Sequence, residues 1–118
     1  MKKVYYLKTC STCLRILKEL NLPSDFELQD IKANPLTSKQ VEALAALSGS
    51  YEALFSKRAK LYKEMGLKDQ NLTEKDYKHY LLEHYTFLSR PVVVIDQSIF
   101  IGNSKKTVAS IKLALNEN

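Results

Sequence analysis

Cys10 and Cys13 are the two cysteines of the chain, and they lie three residues apart in Thr9-Cys10-Ser11-Thr12-Cys13. This spacing suits redox and nucleophilic chemistry. A thiolate attacks an oxidised centre, and a second thiol within reach closes a disulfide. An ordinary cysteine titrates near about 8.5, and CxxC motifs and helix N-termini bring that down to roughly 3.5–7.5. The alternative for Cys13 is a small buried hydrophobe on an apolar stripe. The pair at this spacing points to chemistry instead. A zinc site is a poor fit, because a structural site takes about four ligands and one CxxC supplies only half of them. His79 and His84 lie far along the chain in a helical segment, so no metal is expected.

The elements around the motif must hold the first sulfur at a helix N-terminus. The apolar run Val4-Tyr5-Tyr6-Leu7 leads in, and Cys13, Ile16, Leu17 and Leu20 lead out at helical spacing. Residues 3–8 read as a buried strand and 12–20 as an amphipathic helix stopped by Asn21-Leu22-Pro23. Cys10 then falls in the turn between them. There the free N–H groups and about half a positive charge stabilise an anion. Residues 25–31 alternate polar and apolar, which predicts a half-buried strand with Phe26, Leu28 and Asp30 on one face. The opening is thus β-α-β, with a parallel strand pair and a right-handed crossover.

The middle of the chain reads as helical. Thr37 with Gln40 forms a capping box, and the helix it opens carries Val41, Ala43, Leu44, Ala45 and Leu47 and ends at Ser48-Gly49-Ser50. A basic stretch, Ser56-Lys57-Arg58-Ala59-Lys60-Leu61-Tyr62-Lys63-Glu64-Met65, follows a short piece at 51–55. Thr73 with Asp76 opens a further helix with Tyr77, Tyr80, Leu81 and Tyr85 facing inward as packing residues. Then Arg90-Pro91 precedes Val92-Val93-Val94-Ile95, a central strand by its β-branched run. Asp96-Gln97 turns into a hairpin partner over 98–102. Asn103-Ser104 caps a last helix with Val108, Ile111, Leu113 and Leu115 apolar. This half is β-β-α.

At 118 residues and 45% hydrophobic content the chain is long enough for one core. No apolar run approaches the roughly 20 residues of a membrane span. The apolar run after Met1-Lys2-Lys3 is too short for a signal peptide, so a cytoplasmic protein is expected, where paired cysteines are catalytic or redox-sensing. The net charge of +5 favours anionic partners in a general way. No basic tract is interleaved with aromatics, so direct nucleic-acid binding has no motif.

A β-α-β unit and a β-β-α unit, with CxxC after the first strand and Pro before the third, make the pattern of a thioredoxin-like α/β fold with a mixed four-stranded sheet. The chain resembles the ArsC/Spx family, which comprises arsenate reductase-like proteins of the glutaredoxin type and the Spx regulators. The motifs that carry this are Thr9-Cys10-Ser11-Thr12-Cys13, Asn34-Pro35-Leu36-Thr37, the stretch from Leu54 through Arg58 to Tyr62, Arg90-Pro91-Val92-Val93-Val94, and Ile101-Gly102. The resemblance implies a single domain over 1–118, with 1–33 and 86–118 as the thioredoxin-like core and 34–85 as an all-helical insertion.

It also implies roles. Cys10 matches the reactive thiol, Pro91 a cis-proline beside it, and Arg90 an oxyanion-binding guanidinium that also favours the thiolate. Ser11 and Thr12 supply donors near the sulfur, Arg58 is a further candidate for substrate binding, and Cys13 would resolve the adduct. The implied activity is a thiol-disulfide or arsenate-type reductase acting on a small anionic substrate. Glutathione or thioredoxin would be its reductant, with no resident cofactor. The arsenate reductases it resembles carry Ser at the position of Cys13, and further arginines at the positions of Ser56 and about Asn103. The Spx branch keeps the CxxC as a redox switch on a protein that binds RNA polymerase, but has two consecutive arginines where this chain has Ser89-Arg90. The alternative expectation is such a regulator.

Overall fold

The computed structural model describes residues 1–116; residues 117 and 118 of the expected domain lie outside the described residues. The chain divides into two compact units, one of Met1–Asn34 with the chain from Arg90 onward, the other of Pro35–Ser89.

The first unit is built on strands β1 (Lys2–Tyr6), β2 (Glu27–Asp30), β3 (Val92–Ile95) and β4 (Ser98–Ile101), in the order β2-β1-β3-β4. β1 pairs parallel with β2 and antiparallel with β3, and β3 pairs antiparallel with β4. The sheet is therefore mixed, as the β-α-β and β-β-α readings require. β3 is buried along its whole length, which is why its sequence is an unbroken β-branched run rather than an alternation. Asp96 turns the β3–β4 hairpin with φ 54°, in the left-handed region where Asp is tolerated.

Helices α1 (Ser11–Leu20) and α5 (Lys105–Asn116) belong to the same unit. Val4, Ile16, Leu20, Phe26, Val93, Ile95, Val108 and Ile111 form its core. Each fully buried aliphatic side chain of this kind contributes roughly 1.5–3 kcal/mol of transfer free energy. Asn21, with φ 47°, ends α1 by donating its N–H to the Leu17 carbonyl at 3.2 Å, a left-handed cap. At the start of α5 the Ser104 hydroxyl accepts from the Thr107 N–H at 3.1 Å, the cap expected there.

Two apolar positions depart from the expected pattern. Leu28 pairs with the fully buried Val4 but is itself 52% exposed. It lies on the edge strand, one strand beyond the core, so alternation alone does not bury it. β2 is also shorter than residues 25–31. Phe26 is buried from the turn before the strand, where its N–H bonds the Pro23 carbonyl at 3.2 Å. Leu113 is 65% exposed, because it lies roughly 200° around the helix from Ile111 at 100° per residue.

The second unit holds α2 (Ser38–Ser48), α3 (Lys60–Glu64) and α4 (Glu74–Glu83), linked by short 3₁₀ turns. Both expected capping boxes are present, Thr37 with Gln40 and Thr73 with Asp76. Ala43 is exposed and Leu47 half-buried, so Val41, Leu44 and Ala45 form the buried stripe of α2. Phe55 organises the aromatic core. It stacks on Phe87 with centroids 5.2 Å apart and meets Tyr62 and Tyr77 edge-on at 5.8 and 5.0 Å. Tyr77 and Leu81 are buried and Tyr80 and Tyr85 half-buried, so these tyrosines pack the unit.

Candidate active site

The parallel β1–β2 pair and the antiparallel β1–β3 pair bring several loops to one edge of the sheet. Tyr6 faces Asp30, Tyr5 faces Val92, and Val92 faces Ile101. Hence the chain leaves β1 toward Cys10, leaves β2 at Ile31, enters β3 from Arg90-Pro91 and leaves β4 at Gly102, all from that one edge.

A tight turn after β1 places Cys10. The Cys10 N–H donates to the Leu7 carbonyl at 2.9 Å, and the Cys10 carbonyl accepts the first helical bond from Leu14 N–H at 3.1 Å. Cys10 is the N-cap residue of α1, in extended backbone, and the first turn of the helix has no acidic residue. The free N–H groups of that turn are therefore directed at a sulfur with no carboxylate in the turn to oppose it. Cys10 is half-buried and Cys13 fully buried, and both are free thiols.

The two sulfurs are driven apart electrostatically. Partial burial pushes Cys10 up, but hydrogen bonds from the Cys13 backbone and side chain, the Arg90 charge and the Thr12 N–H together bring it below its ordinary value. Burial pushes Cys13 up to about 11, with the charge and hydrogen bond of Cys10 adding to it against the Leu7 backbone and Arg90. The result is one ionisable thiol with a protonated thiol as its hydrogen-bond donor.

Cys10, Ser11, Thr12, Cys13, Arg90 and Pro91 all lie in the first unit. Ser11 is exposed at the first helical position and Thr12 half-buried at the second. The Arg90-Pro91 bond is cis, and the Pro91 carbonyl accepts from Gly102 N–H at 3.0 Å, tying the entry of β3 to the exit of β4. Arg90 is half-buried and its charge acts on both sulfurs. Arg58 is exposed in the second unit, as part of the segment that precedes α3. No group of three or more metal-ligating side chains occurs among the described residues, and no helix among them is long and apolar enough to cross a membrane.

Asp30 carries a role its sequence position does not announce. Its Oδ1 accepts from Lys8 N–H at 3.2 Å and from Lys32 N–H at 3.3 Å. One carboxylate thus ties the cysteine-bearing turn to the exit of β2. Sequence reasoning places Asp30 on the strand face with Phe26 and Leu28. Its partner Lys8 is 22 residues away, beyond any local pattern.

A mixed β2-β1-β3-β4 sheet with a helix-capping cysteine after β1 and a cis-proline before β3 defines a thioredoxin-like thiol protein. The chain belongs to the ArsC family, which it matches over residues 5–111. Among solved structures it is similar to an ArsC family related protein from Bacteroides fragilis, with a TM-score of 0.76, 22% identity, and 93% of this chain and 96% of that one covered. It is similar also to an arsenate reductase from Vibrio cholerae (TM-score 0.72, 21% identity, 93% and 98% covered). A protein from Staphylococcus aureus COL gives a TM-score of 0.72 at 25% identity, with 93% and 97% covered. No curated protein matches the chain. Family membership supports thiol oxidoreductase chemistry at the level of the family.

Proposed function

We infer that the protein is a thiol oxidoreductase in which Cys10 is the nucleophile, Cys13 the resolving thiol and Arg90 the anion-binding group. The observation that carries this is the placement of Cys10 at the N-cap of α1, under the charge of Arg90, with Cys13 one turn behind. With a disulfide substrate, the Cys10 thiolate attacks one sulfur, forms a mixed disulfide and expels the other sulfur as a thiolate. Cys13 then loses its proton and attacks the Cys10 sulfur. The bond to the substrate breaks, the substrate leaves as a thiolate, and a Cys10–Cys13 disulfide remains. Thioredoxin, or two molecules of glutathione, returns both thiols. With an arsenate-type oxyanion, Cys10 displaces one oxygen as water. Attack by Cys13 on the Cys10 sulfur then leaves the electron pair on arsenic, which departs as arsenite. Ser11 and Thr12 line the sulfur in either case. A reducing compartment such as the cytoplasm suits this cycle.

The test is turnover of a disulfide substrate with a thiol reductant. Cys10→Ser abolishes it, whereas Cys13→Ser accumulates a mixed disulfide visible by intact mass. Full activity in Cys10→Ser overturns the mechanism.

The Cys10–Cys13 spacing and the basic segment Ser56-Lys57-Arg58-Ala59-Lys60 favour a second reading, an Spx-like switch whose disulfide alters affinity for RNA polymerase. Its test is capture of a polymerase subunit with and without reductant, and no capture in either state removes it.

A further inference from the structure

We propose that the sheet edge around Cys10 is a docking surface for an acidic protein face that presents the disulfide Cys10 attacks; this rests on the thiol oxidoreductase reading above. The loops at this edge carry Lys8, Lys32 and Arg90, and the first turn of α5 carries Lys105 and Lys106. The four lysines are exposed. No ion pair among the described residues engages Lys8, Lys105 or Lys106. The carboxylate at this edge, Asp30, is held by two backbone N–H groups. β1 and β4 run in the same direction, so α1 and α5 both start here and add two positive helix termini. Two of the cations at the opposite edge are matched. The Met1 amino group pairs with Asp96 at 3.4 Å and Lys2 with Asp25 at 3.2 Å.

The extent of the surface selects a protein over a small anion. Lys32 follows the edge strand β2, and Lys105 and Lys106 follow the opposite edge strand β4. Three strand spacings separate those edges, roughly 14 Å, before any lysine side chain extends outward. A fully extended tripeptide spans only about 10 Å. A small anion therefore engages Arg90 and one neighbour, and an acidic face engages the whole row. Leu14, 45% exposed one turn after Cys10, offers such a partner an apolar contact beside the sulfur.

The test uses three synthetic peptides of equal length, each with one cysteine activated as a mixed disulfide with pyridine thiol. Their flanks are acidic, neutral or basic. Cys10 attack forms the peptide–Cys10 disulfide and releases the pyridine thiol, which is read by absorbance. At low ionic strength the acidic peptide reacts about tenfold or more faster than the basic one, the steering expected of a focused field. Near 0.5 M salt the gap falls to about twofold or less. The triple variant Lys8→Gln/Lys105→Gln/Lys106→Gln loses most of the acidic advantage and keeps the neutral-peptide rate. Equal rates for acidic and basic peptides at low salt, or an advantage that survives the triple variant, overturns the proposal. So does an equal loss with oxidised glutathione, which would mark a small-molecule site. The same peptides without the activated sulfur, followed by fluorescence anisotropy, read the surface separately. If the neutral peptide fails to react while acidic binding persists, the thiol reading falls and the surface stands.

Discussion

The division of labour between the sulfurs is open to a direct kinetic measurement. Cys13, pushed up to about 11, is ionised to roughly one part in ten thousand at neutral pH. Cys10 is held below its ordinary value, so its thiolate fraction at the same pH exceeds the roughly one part in thirty of a cysteine titrating near 8.5. The thiolate populations differ by about a hundredfold at least. A less basic thiolate is also a weaker nucleophile, and a Brønsted slope of about 0.4–0.5 returns roughly a factor of eight across that gap. The net advantage of Cys10 is about tenfold or more, before the complete burial of Cys13 slows a bulky reagent further. The assay is reaction of the single variants Cys13→Ser and Cys10→Ser with dithiodipyridine across a pH series. Cys13→Ser, which leaves Cys10, reacts at least about ten times faster at neutral pH. Removing Cys10 takes away two causes that raise Cys13, its charge and its hydrogen bond, but burial is the largest cause and remains. Cys10→Ser therefore stays slow. Equal rates, or a faster Cys10→Ser, would mean that the sulfurs are ordered the other way and that the resolving role assigned to Cys13 is wrong.

Arg90→Gln raises the pKa of Cys10, because it removes a charge that favours the thiolate, and the pH–rate profile of alkylation moves to higher pH; Arg90→Lys restores part of the shift. An unmoved profile would exclude Arg90 from the sulfur's field. In α4, Thr73 Oγ1 accepts from Asp76 N–H at 3.3 Å, and its own hydroxyl donates to the Asp76 carboxylate at 2.9 Å. Thr73→Ala costs about 1 kcal/mol of stability in urea unfolding. Hydrogen bonds from the Thr73 backbone and side chain hold the Asp76 carboxyl below its ordinary value. The Asp76 contribution is therefore present above the unfolded pKa and is lost as pH falls through the folded one, and a Tm series in acid shows this loss blunted in Asp76→Asn. On the sheet, the largely buried Lys3 meets Glu27 at 2.8 Å. Glu27→Gln destabilises by about 1 kcal/mol, held to that figure by the exposure of the carboxylate, and Lys3→Met/Glu27→Gln recovers part of the loss.

Where the signals are local, the sequence and the structure agree. Thr37 with Gln40, Thr73 with Asp76 and Ser104 ahead of Lys105 each mark a helix start from within one turn, and all three caps are formed. The unbroken Val92–Ile95 run marks an interior strand because burial on both faces removes any reason to alternate. Cys10 itself is legible for the same reason, since a strand signal, a turn and a helical stripe follow one another within twenty residues. Legibility fails where another part of the chain decides. Leu28 has the alternation of a buried position, but only a neighbouring element could cover an edge strand, and no local pattern says whether one does. Asp30 reads as one more alternating residue, yet its carboxylate is committed to the backbone of the cysteine turn. The charge around the sulfur has the same origin. Lys8, Lys32, Arg90 and Lys105 are scattered in sequence and look like an ordinary solvated surface with a mild net charge. Only the strand order, which sends four loops to one edge, collects them. The candidate nucleophile is thus written locally, while the charge around it is written by topology.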